Sequence, residues 1–144
     1  MSISQCTLTR RLMVFLFATS LPAYADVVVV ASLKSTVSSL TEEQASNVFL
    51  GKINSLPGSG KVIPLDQPNG SSIKDLFYQK ITGKTAAQLK AYWSQQIFTG
   101  KGWPPKEVGD DTVVRNLVAS NPSTVGYIDK SAVDSTVKVL LSIK

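Results

Sequence analysis

The run Asp26-Val27-Val28-Val29-Val30 most constrains what this chain can become. Four β-branched residues in succession are poor helix formers, and a run without polar alternation has no solvent face. It reads as a strand buried on both sides, of the kind found inside a sheet covered by helices.

The pattern downstream agrees with that reading. Thr41 and Gln44 have capping-box spacing, Glu42 and Glu43 occupy the first turn, and Ala45, Val48 and Phe49 form an apolar face that stops at Gly51. Lys61–Asp66 reads as a short strand whose Pro64 favours an irregular or edge position. A second helix carries Ile73, Leu76, Phe77 and Ile81 on one face and ends at Gly83. Thr85 and Gln88 repeat the capping box before a third helix that turns Leu89, Trp93 and Ile97 inward. "TGKGWPPKEVG" reads as a long loop stiffened by Pro104 and Pro105. Asp110 or Asp111 opens a fourth helix, with Val113, Val114, Leu117 and Val118 inside, and Asn121-Pro122 ends it. Val125–Asp129 reads as a strand, and so does the alternation of Val137, Val139, Leu141 and Ile143. Strands and helices alternate throughout, which gives an α/β domain: a central mixed sheet flanked by helices.

The N-terminus follows a different logic. Arg10 and Arg11, the apolar run Leu12–Leu21 and the small-x-small site Ala23-Tyr24-Ala25 have the order of a secretory signal peptide, residues 1–25, cleaved after Ala25. The domain is then 26–144, and the expected location is periplasmic. Removing Arg10 and Arg11 from 15 Lys+Arg, against 10 Asp+Glu, leaves a net charge of +3. The lysines are scattered singly, which does not suit nucleic acid. The only cysteine, Cys6, lies in the signal segment, and there is no histidine. The usual general base, metal ligand and thiol nucleophile are therefore missing, so no enzyme, no metal and no cofactor is expected. Glu42-Glu43 and Asp110-Asp111 each sit at a predicted helix start, and adjacent helical residues point apart. Trp93 falls on a core face, Trp103 is a contact candidate in the Pro-rich loop, and Lys101 between two glycines is too short a motif for a phosphate loop.

"LDQPNGSSIKDLF", Leu65–Phe77, is a strand, a tight turn and a helix start. First-turn N–H groups lack helical partners, so this junction can seat a phosphate, sulfate or carboxylate. Gly70, Ser71 and Ser72 would donate to such an anion, assisted by Gln67. A plain serine N-cap is the alternative account of the same residues.

Three segments, "SLTEEQASNVFLGKI", "VIPLDQPNGSSIKDLFYQKITG" and "VASNPSTVGYID", resemble the second lobe of the phosphate-binding components of ABC transporters, within the type 2 periplasmic binding protein superfamily. "YWSQQIFTGKGWPP" looks like its small single-lobe branch. The resemblance covers nearly all of 26–144 and implies a single-lobe periplasmic-binding-protein-like fold. It further implies a small oxyanion ligand, phosphate first, and as partners an ABC permease or envelope protein, or a second copy in a homodimer. The family turn reads arginine, three residues, then Ser-Gly-Thr. Here Gln67 stands for the arginine, Ser72 for the glycine and Ile73 for the threonine. A neutral amide hydrogen bond is worth roughly half a charge-assisted one. The alternative function is an interaction module that keeps the fold without tight ligand binding.

Overall fold

A computed structural model describes residues 25–144. The expected signal segment up to Tyr24 lies outside the described residues. In chain order the elements are β1 (Val27–Ser32), α1 (Glu42–Phe49), the small hairpin β2 (Ser55–Leu56) and β3 (Gly60–Lys61), and β4 (Ile63–Asp66). Then follow α2 (Ser72–Thr82), α3 (Ala86–Phe98), β5 (Lys106–Glu107), α4 (Asp111–Ser120), β6 (Thr124–Asp129) and β7 (Val137–Ile143).

All six residues of β1 are buried, as a strand with no polar face requires. Val27, Val29 and Ala31 join an apolar cluster with Phe49 of α1, Phe77 and Tyr78 of α2, and Leu89 and Trp93 of α3. Val28 and Val30 point the other way, to Val114 and Val118 of α4. Each fully buried valine contributes about 1.5–3 kcal/mol. The main sheet runs β5-β4-β6-β1-β7. β4 is parallel to β5 and β6, while β1 is antiparallel to β6 and β7, so the sheet is mixed.

Both capping boxes are present, at Thr41 with Gln44 and at Thr85 with Gln88, and Asp110 is the N-cap of α4. Pro64 is less of an edge residue than expected: β4 lies between β5 and β6, but β5 reaches only Leu65 and Asp66, so Pro64 sits where that side of the strand is open. Several inward assignments change. Ile97 is 40% exposed, Val113 38% and Leu117 41%, because α3 and α4 bury only narrow stripes, Leu89 with Trp93 and Val114 with Val118. On α2 the buried residues are Lys74, Phe77 and Tyr78, with Ile73, Leu76 and Ile81 partly buried around them. In β7 the expected alternation fails at its centre. Val29 pairs with Leu141 and Val30 with Val139, which leaves Leu140 as the extra residue of a bulge. Leu140 turns into the core and Val139 turns out.

Candidate functional site

β4 delivers Asp66 and Gln67 to one end of the sheet, and the chain then turns through Pro68–Gly70 into α2. Gly70 has φ +92°, and a Cβ there would meet nothing, so glycine serves the turn and not a close approach. Ser71 is the N-cap of α2: its Oγ accepts the Lys74 N–H at 3.2 Å. The same hydroxyl donates to Gln67 Oε1 at 2.7 Å. Gln67 Nε2 donates to Asp111 Oδ1 at 2.7 Å and to the Tyr127 carbonyl at 3.2 Å. This buried amide thus braces the start of α2 against the start of α4 and the middle of β6.

The two helix starts flank an open cleft of about 590 Å³. Pro68 and Ser71–Ile73 line one side, Asp110–Thr112 the other, with Gln67 and Ala132 completing the lining. Caps and helical bonds engage the N–H groups from Lys74 in α2 and from Val113 in α4, so those of Ser72, Ile73, Asp111 and Thr112 are first-turn donors beside the cleft. Two carboxylates, Asp110 and Asp111, share the lining, and no lysine or arginine does. The structure therefore brings together Gln67, Ser71 and Ser72, and leaves Gly70 outside the lining. Gln67 and Ser71 are engaged within the protein, while Ser72 is exposed.

Behind the cleft lies a buried polar cluster that sequence reasoning missed. Tyr127 Oη donates to Asp66 Oδ1 and accepts the Gln67 N–H at 3.1 Å, and that N–H also reaches Asp66 Oδ1 at 2.9 Å. Tyr78 Oη donates to Asp66 Oδ2 at 3.1 Å. Lys74 Nζ lies 3.3 Å from Asp66 Oδ2, 3.2 Å from Glu107 Oε1 and 3.0 Å from Asn69 Oδ1. Burial pushes the Asp66 carboxyl above the usual carboxylate range; the Tyr127 hydrogen bond and the Lys74 charge only partly counter it. Burial, then the Asp66 charge, pushes both tyrosines up, so they stay protonated donors. The signal available was the spacing of Lys74 and Tyr78, one helical turn apart and both beside Phe77. Among the described residues no cluster of acids could hold a metal ion, and no helix is long and apolar enough to cross a membrane.

No family model and no curated protein matches this sequence. Solved structures do. A Clostridium perfringens substrate-binding protein of phosphate ABC transport, with phosphate bound, matches at 20% identity and a TM-score of 0.63 over 81% of this chain and 45% of its own. The domain has a single-lobe periplasmic-binding-protein-like fold. An ABC-type phosphate transport receptor from Vibrio cholerae matches at 19% identity and TM-score 0.57, over 81% of this chain and 46% of its own. PstS from Borrelia burgdorferi matches at 19% and 0.56, over 81% and 47%. This single-lobe domain thus spans about half the length of each of these proteins, the first two of which are named for substrate binding and phosphate transport.

Proposed function

We propose that the protein is a periplasmic solute-binding-like domain whose cleft takes a small oxyanion that still carries a proton, phosphate being the first candidate. The observation that carries this reading is the convergence of two helix starts, α2 and α4, on one cleft. The N–H groups of Ser72, Ile73 and Thr112, with the Ser72 hydroxyl, would donate to the anionic oxygens. Asp110 and Asp111 repel a dianion but accept a hydrogen bond from a protonated oxygen. The ligand would stand open to water, and a permease, an envelope protein or a second copy would supply the missing wall. A second reading, an interaction module without a ligand, is favoured by two observations: Gln67 and Ser71 are already satisfied internally, and no cation lines the cleft.

Calorimetry with protein recovered from the periplasm separates the two. Its N-terminus should read Asp26. Phosphate should bind more tightly at about pH 6 than at about pH 8, and sulfate, which carries no proton in this range, should bind more weakly than phosphate. Asp111→Asn should flatten the pH dependence. Ser72→Ala should weaken binding roughly threefold to tenfold, the worth of one exposed hydrogen bond. Absence of any heat at millimolar phosphate, sulfate or carboxylate rejects the ligand reading and leaves the interaction module.

A further inference from the structure

The last turn of α3 and the loop after it expose apolar side chains for which neither the core nor the cleft has a use. Phe98 is 92% exposed, Trp103 74% and Ile97 40%. They are rigidly presented. Lys101 N–H bonds to the Gln96 carbonyl and Gly100 N–H to that of Ile97, with Gly100 at φ +68°, which is a Schellman closure of the helix. Pro104 and Pro105 then stiffen the chain beyond Trp103. A phenylalanine and a tryptophan held out into water close together in the chain are anchors suited to a partner.

Charge indicates which kind. From Leu76 to Lys106 the sequence contains five lysines and no acid. Lys90, Lys101 and Lys106 are exposed. The next acid, Glu107, is held by Lys74. The patch does not line any of the three clefts around the α2–α4 junction and the 34–40 loop. An exposed surface of aromatics with lysines beside them in the chain fits a lipid interface: aromatics enter the headgroup region and lysines meet the lipid phosphates.

We infer that the end of α3 and the 99–105 loop form a membrane-contact surface, which seats Phe98 and Trp103 in an anionic bilayer.

The test is vesicle binding by the purified protein, with phosphatidylglycerol in phosphatidylcholine against phosphatidylcholine alone. Trp93 is buried, so a change in tryptophan emission reports Trp103. Binding to the anionic vesicles should shift that emission to the blue. Phe98→Ser/Trp103→Ser should lose about tenfold or more in partitioning, and Lys101→Glu/Lys106→Glu should lose the preference for anionic lipid and its salt sensitivity. All four side chains are exposed, so melting curves should be unchanged and a loss of binding is a loss of contact. Equal partitioning of wild type and the aromatic variant, or unshifted emission at saturating vesicles, overturns the inference. So does a dimer that the aromatic variant dissolves, since that assigns the patch to a second copy.

Discussion

Gly126 lacks a side chain because α4 lies where one would go. A Cβ there would overlap Val114 Cγ1 and press on Val118 Cγ2 at 3.3 Å. The "GYI" segment is thus three packing requirements in a row: close approach of α4 at Gly126, the hydroxyl that meets Asp66 and Gln67 at Tyr127, and a core residue at Ile128. Gly126→Ala should lower stability by about 1–3 kcal/mol, read by urea denaturation, because α4 has to move outward. Lys74→Met tests the buried cluster. It removes the cation beside Asp66, which should cost about 3 kcal/mol. The sign with pH follows from the raised Asp66 pKa. A carboxyl whose folded pKa is raised contributes most below its ordinary pKa and loses that contribution as pH rises through the folded value. Without Lys74 the folded value rises further, so the loss should be larger at about pH 8 than at about pH 5. Equal losses at both would mean that Asp66 does not titrate in this range. Residues were legible in the sequence where their partners are near. Thr41, Thr85 and Asp110 cap the next turn, and their spacing announces it. The partner of Gln67 is Asp111, 44 residues away, and no local spacing reveals it.

At the scale of elements, the helices were legible in extent and less so in orientation. Each has a cap at its start, and α1 and α2 end at Gly51 and Gly83, both with φ +70°. Which stripe faces the sheet depends on how closely the helix can approach, which Gly126 decides for α4. The expected inward role of Leu117 and Val113 counted apolar residues and could not see that width. In β7 the two-residue period was the correct signal for a strand and the wrong guide to its faces, because a bulge leaves no mark in composition. Deleting Leu140 would restore the regular ladder beside Val29 and Val30, leave the faces of the other β7 residues as they are, and remove a buried side chain from the core. A loss of about 2–5 kcal/mol in urea denaturation is the expected outcome. Stability like that of wild type would mean that the bulge does not serve to place Leu140 in the core.

For the whole molecule, the α/β class was readable from the alternation of patterns and the single lobe from the family resemblance, while the order of strands was not. That order has a consequence in time. β1 is the first strand of the domain and pairs on both sides, yet its partners come last: Val27 lies opposite Asp129 in β6 and Ile143 in β7. The ribosome therefore releases the hub of the sheet long before either neighbour exists, and the loops that must close are nearly as long as the domain. Such contact order slows folding, so refolding in stopped flow should take roughly milliseconds to seconds, slower than a helical domain of this size. A chain ended before Val137 should show no cooperative transition, and one that melts normally would show that β7 is dispensable. A nascent chain with nothing to fold onto stays open while it is being made, and the arrival of β6 and β7 sets the moment at which the sheet can close around β1.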